Sequence, residues 1–123
     1  MKINKNFSLK EFDCKDGTVM PENVKINILE LAKNLQILRD YLGLSIKINS
    51  AYRSASHNKK IGGVKNSQHV KGRASDIVVK GMSSIELAKA IELLIKNKQM
   101  SEGGIGIYTN FVHYDIRGTK ARW

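Results

Sequence analysis

A chain of 123 residues is long enough for one hydrophobic core and too short for two. Its 41% hydrophobic and 26% charged residues exclude a disordered or fibrous protein. Lys and Arg outnumber Asp and Glu by 21 to 11, a net charge of +10 that draws the protein to a polyanion: nucleic acid, anionic lipid or an anionic cell wall.

Nucleic acid is the weakest of these, because aromatics are only 7% and no stacking or groove-binding motif is present. A plain solvated basic surface is the alternative to any specific polyanion. The start "MKINKNFSLKEF" has basic residues with no apolar run behind them, so no signal peptide is expected. Nor does any stretch approach the roughly 20 apolar residues of a membrane span. Cys14 is the sole cysteine, which leaves the fold independent of an intramolecular disulfide. His57, His69 and His113 could partner a catalytic thiol, but "EFDCKDG" lacks an activating context and reads as a partly buried thiol.

In "MPENVKINILELAKNLQILRDYLG", Pro21 stands near the start and Gly43 just past the end. Ile28, Leu31, Leu35, Leu38 and Leu42 recur at three and four residues and predict one core-facing helical stripe. "LSIKINSAYRS" alternates into a strand ending near Ser50, followed by a loop that carries Tyr52 and Arg53. "ASDIVVKG" predicts a second strand. In "SSIELAKAIELLIKNKQ", Ser83 and Glu86 form a capping box ahead of a helix buried through Leu87, Ala88, Ile91, Leu94 and Ile95. "GGIGIY" and "FVHYDIR" across a short "TN" break predict a hairpin. On its second strand Phe111, His113, Asp115 and Arg117 share one face, and Val112, Tyr114 and Ile116 the other.

If "ASDIVV" and "FVHYDIR" are neighbours, Asp76 and His113 lie on one face and the turn "HVKGRA" brings His69 over them. Two imidazoles and a carboxylate make a three-ligand site for one Zn²⁺, whose catalytic sites keep a fourth position for water. Gly72 and Ala74 then serve to let the chain pass close to the metal. The plainer reading of each histidine alone is an ordinary structural one.

"SQHVKGRASD" matches the SxHxxGxAxD motif of the zinc D-Ala-D-Ala carboxypeptidase family of murein metallopeptidases. "SAYRSASHN" with the following "IGG" resembles an upstream segment of that family, and "GGIGIYTNFVHYDIR" resembles its closing hairpin. "NFSLKEFDCKDG" and Trp123 are similar to its small, phage-endolysin-like branch, so the resemblance spans nearly the whole chain. It implies that His69, Asp76 and His113 hold zinc and that Arg53 steadies a substrate carboxylate or polarised carbonyl. Ser67 and Gln68, beside the first ligand, are implied in substrate binding or in positioning the turn, and Tyr52 in substrate binding.

Some relatives place an acidic base three residues before the last histidine. Here that residue is Asn110, which cannot take a proton. Asp115 is the remaining carboxylate, roughly 6.5–7 Å from His113 along the strand; it is expected as the general base, with an orienting partner of a ligand or a salt bridge to Arg117 as the alternative.

The expectation is a single zinc peptidase domain over 1–123 of α+β class, a D-Ala-D-Ala carboxypeptidase/hedgehog-like fold. A small, mostly antiparallel sheet carries helices on one side and the zinc site on the other. Its substrate is a peptidoglycan stem peptide or cross-link. Its partner is the anionic wall, with no nucleic acid or membrane, and it acts as a monomer. A bacteriolytic phage or prophage endolysin, made in the cytoplasm and acting on the wall after release, is the implied role. A non-catalytic, zinc-containing wall-binding or structural phage module is the alternative. D-Ala-D-Ala trimming, L-Ala-D-Glu cleavage and cross-bridge cleavage all fit, since pocket shape rather than motif spacing selects the bond.

Overall fold

The predicted apolar stripe forms helix α1 (Glu22–Leu42), as seen in a computed structural model that describes residues 2–123. Pro21 precedes it with extended backbone, and Gly43 ends it in the left-handed region at φ 66°, its N–H donating to the Arg39 carbonyl at 3.0 Å. Ile28, Leu31, Leu35 and Leu38 are fully buried. Each contributes about 1.5–3 kcal/mol by leaving water.

Strand β1 (Ile46–Ser50) follows, then a short helix α2 (Ala55–Lys60), strand β2 (Ala74–Val79) and helix α3 (Ser84–Lys96). The Ser83–Glu86 capping box is present, and Leu87, Ala88, Ile91 and Leu94 are buried. The hairpin is made by β3 (Gly104–Ile107) and β4 (Val112–Asp115), and β5 (Ala121–Arg122) closes the sheet. Among the described residues no helix is long and apolar enough to cross a membrane.

The sheet order is β1-β2-β4-β3-β5. All neighbours are antiparallel except β3 and β5, which run parallel and make the α+β sheet mixed. The β2–β4 register sets Ile77 opposite Val112 and Asp76 opposite His113. Directly opposed residues share a face. Ile77, Val112, Tyr114 and Ile105 therefore join the core with α1 and α3, while Asp76 and His113 face the other way.

The 3-10 turn Leu9–Phe12, α2 and β5 were not legible in the sequence. Each is too short for hydrophobic periodicity to register. The last has a direct consequence: its pairing, extended by Trp123 N–H to the Ile105 carbonyl and Ile107 N–H to the Trp123 carbonyl, delivers Trp123 to the polar face of the sheet.

Candidate metal centre

The β2–β4 register places Asp76 and His113 side by side, and the turn before β2 returns His69 above them. His69 Nε2 and His113 Nδ1 each lie 3.2 Å from the same oxygen, Oδ1 of Asp76. All three residues are buried at the floor of a cleft of about 420 Å³.

The outer contacts decide what those atoms present. His69 Nδ1 is 2.7 Å from the Ala51 carbonyl oxygen, which only accepts, so Nδ1 carries the hydrogen. His113 Nε2 is 2.7 Å from Asp115 Oδ2, again an acceptor. With a single hydrogen on that outer nitrogen, each ring turns a bare nitrogen lone pair toward a carboxylate oxygen. Three lone pairs meeting in a buried pocket repel one another unless a proton or a cation lies among them. A divalent ion with nitrogen and oxygen preference satisfies all three at once, so the donor set fits zinc.

Electrostatics agree with the geometry. Burial alone would raise the Asp76 carboxyl, but hydrogen bonds from His113 and His69 outweigh it and hold the group well below the usual carboxylate range. Burial likewise opposes charge on His113; the Asp115 and Asp76 carboxylates overcome it and the net shift is upward.

Arg53 is in the site, with its fork already engaged. It donates to Asp76 Oδ2 at 3.2 Å, to Ser50 Oγ at 3.2 Å and to Asn58 Oδ1 at 3.3 Å. Holding Oδ2 leaves Oδ1 for the ion. Ser67 Oγ accepts from His69 N–H at 3.1 Å and so shapes the ligand turn. Gln68 lines the cleft, and its Oε1 is the one buried side-chain polar atom without a hydrogen-bond partner among the described residues.

Two of the sequence's candidate residues lie away from the cleft lining. Tyr52 does not line the cleft: its ring is packed in the hydrophobic core, and its N–H donates to the Phe12 carbonyl at 3.0 Å. Asp115, expected as the base, lies outside the cleft lining. Its Oδ1 accepts from Gly104 N–H at 2.8 Å and Arg117 Nε at 2.9 Å, and its Oδ2 from Arg117 NH2 and His113 Nε2, both at 2.7 Å. The side chain has no solvent exposure, and the His113 ring stands between it and the three converging donors. Strand spacing could not show which edge of the imidazole faces which carboxylate. Asn110 lies outside the cleft, beside the start of α3.

Gly72 also has a different reason from the expected one. Its φ is 74°, and an added Cβ would meet Val24 Cγ1 at 2.6 Å, so its smallness serves the approach to α1 rather than to a metal. The glycines that matter to the site are in "GGIGIY" of the hairpin. A Cβ on Gly104 would run into Asp115 Oδ2 and lie 2.9 Å from Arg117 NH2, and one on Gly106 would strike the Trp123 indole. That indole lies over His113, with centroids 4.9 Å apart, and under the Arg117 guanidinium at 5.5 Å. Gly104→Ala is therefore expected to displace Asp115 and destabilise the fold by about 1–3 kcal/mol, measured by denaturant melting, with a matching loss of metal affinity.

The profile of the family described as Peptidase M15 matches residues 5–115. The probable peptidoglycan L,D-endopeptidase MepK of Haemophilus influenzae is 32% identical over 104 residues, covering 79% of this chain and 52% of that protein. The zinc D-Ala-D-Ala carboxypeptidase of Streptomyces albus G is 32% identical over 79 residues, 63% of this chain and 31% of that protein. The chain thus spans about half or less of the length of these curated relatives. With a family match running from the N-terminal segment through both histidines and the intervening aspartate, the chain belongs to the peptidase M15 family.

Proposed function

We propose that this chain is a zinc-dependent peptidoglycan peptidase that hydrolyses an amide bond in a stem peptide or cross-link. The observation that carries the reading is the convergence of two imidazole lone pairs on one Asp76 oxygen beneath an open cleft. The relatives' names, a probable peptidoglycan L,D-endopeptidase and a zinc D-Ala-D-Ala carboxypeptidase, support the substrate class. His69, Asp76 and His113 would hold the ion, and the chemistry it would supply when bound is Lewis acidity and an activated water.

The chain's own residues do the rest. Arg53 fixes the Asp76 carboxylate, and Asp115 and the Ala51 carbonyl fix the two ring tautomers. Tyr108, Phe111 and Trp123 wall the cleft. Tyr108 Oη accepts the Trp123 Nε1–H at 2.7 Å, which leaves its own hydroxyl proton free to donate to a substrate oxygen. Gln68 lines the cleft, and its side chain is the one assigned here to the bound peptide. Gln68→Met is expected to raise KM roughly 5–10-fold with little change in kcat, since about 1 kcal/mol of ground-state binding is lost.

A second reading is favoured by one specific feature: among the described residues no carboxylate besides Asp76 lines the cleft to act as a base. On that reading the chain binds the wall without cutting it. The two separate in one experiment. Purified peptidoglycan is incubated with zinc-loaded, chelated and zinc-restored protein, and fragments are identified by mass spectrometry. The peptidase releases defined muropeptides only in the first and third cases, and the bond cut is read from their masses. Sedimentation with the wall and no fragments in any case would establish the binding module. The +10 charge fits an anionic wall, with binding that weakens as salt rises. The biological role we propose is an endolysin, for which clearing of cell-wall suspensions is the corresponding assay.

A further inference from the structure

The only cysteine, a carboxylate and an imidazole that the proposed reaction does not use come together away from the cleft. The segment after the 3-10 turn brings Cys14 and Asp16 against the first turn of α2, where His57 lies. One ligand atom from each, a thiol sulfur, a carboxylate oxygen and a ring nitrogen, lie within 4.8 Å of one another. Cys14 is buried, Asp16 exposed and His57 between the two, so a site here would be rooted in the core and open to solvent on one side.

The local partners leave capacity for a ligand. The His57 ring makes no hydrogen bond among the described residues, although its N–H caps onto Ser54 Oγ at 3.1 Å. Cys14 Sγ accepts the Ser54 N–H at 3.3 Å, which orients the sulfur beside the hydroxyl. Asp16 Oδ2 accepts from Ser54 Oγ at 2.8 Å and its Oδ1 from Thr18 N–H at 2.8 Å, so the carboxylate is held in place with lone pairs to spare.

We infer that Cys14, Asp16 and His57 form a second metal site, distinct from the His69–Asp76–His113 centre, for a borderline-soft divalent cation of the zinc class. The donor set is one that such an ion prefers: thiolate at about 2.3 Å, imidazole and carboxylate at about 2.0–2.2 Å, with the fourth position filled by solvent or Ser54 Oγ. Those bond lengths draw donors to roughly 3.2–3.8 Å apart. The contraction falls on His57, whose half-exposed ring makes no hydrogen bond among the described residues, and the thiol proton passes to solvent on binding. The site would tie the N-terminal segment to α2, directly after the loop that carries Arg53. Its role is structural rather than hydrolytic.

Because the other centre offers only nitrogen and oxygen, a sulfur signal reports this site alone. The 123-residue chain is titrated with Co²⁺ and followed in the near ultraviolet, where thiolate-to-cobalt charge transfer absorbs; bound Zn²⁺ per chain is then counted after dialysis. The expected result is a charge-transfer band and two Zn²⁺ per chain. Cys14→Ser should abolish the band and leave one Zn²⁺. His57→Gln, which keeps the sulfur and alters a partly exposed side chain, should weaken the Co²⁺ midpoint at least tenfold. His69→Ala should keep the band while losing the other ion, so failure of the peptidase reading and failure of this one are separable. Absence of the band in the wild-type protein at saturating Co²⁺, or an unchanged midpoint in His57→Gln, would overturn the assignment. Should Cys14→Ser fail to fold, the His57→Gln midpoint decides.

Discussion

Replacing His69 by alanine is expected to lower the rate of peptidoglycan hydrolysis by at least about 100-fold and to empty the His69–Asp76–His113 centre of zinc. The residue is buried, and its Nε2 is one of the two nitrogens that meet Asp76 Oδ1. Without it the remaining donors are one imidazole and one carboxylate, too few to hold an ion tightly or fix its open position. The Ala51 carbonyl also loses its donor, at about 1–3 kcal/mol in stability. A thermal melt with and without zinc separates the two effects. In the wild-type protein zinc at about 1,000 times Kd should add about 4 kcal/mol of stability, and in His69→Ala the increment from this centre should vanish. Retained hydrolysis in a folded His69→Ala protein would sink the zinc mechanism.

Asp115→Asn distinguishes an orienting carboxylate from a base. Burial alone would raise the Asp115 carboxyl, but His113, Arg117 and the Gly104 and Arg117 N–H groups outweigh it and hold the group well below the usual range, as a permanent acceptor. Asparagine keeps the shape but offers an NH₂ on one side. Facing Arg117, that amide meets a guanidinium that only donates; facing His113, it forces the ring to accept at Nε2 and carry its hydrogen on Nδ1. The second arrangement turns an N–H toward Asp76 and removes a metal ligand. The expected result is a 10–100-fold loss of zinc affinity, with activity at limiting zinc falling in step and recovering in part at high zinc. A base would behave otherwise: zinc affinity unchanged and hydrolysis lost at every zinc concentration. That outcome would return Asp115 to the role its spacing first suggested.

The contrast between these residues shows what one dimension carries. Three-and-four spacing in α1 and α3, alternation in β1 and β4, and the Ser83–Glu86 box are local, so the elements and their buried faces were legible from the residues alone. The two-residue face rule likewise separated His113 and Asp115 from Val112 and Tyr114, and adjacency of two strands sufficed to bring Asp76 to His113. The N-terminal connections, α2 and the parallel strand that carries Trp123 were not legible, because single turns and two-residue strands form through distant partners rather than local pattern.

Side-chain direction was the other thing sequence could not hold. The chain by itself determined which residues share the polar face of the sheet, since the strand period is a property of the backbone. Only the tertiary structure decided that His113 turns Nδ1 inward and Nε2 to Asp115, that Arg53 is occupied by Asp76, and that Tyr52 belongs to the core. Each of those outcomes depends on partners from separate strands and loops competing for the same few hydrogen bonds in a buried space, where an unpaired polar group is too costly to leave.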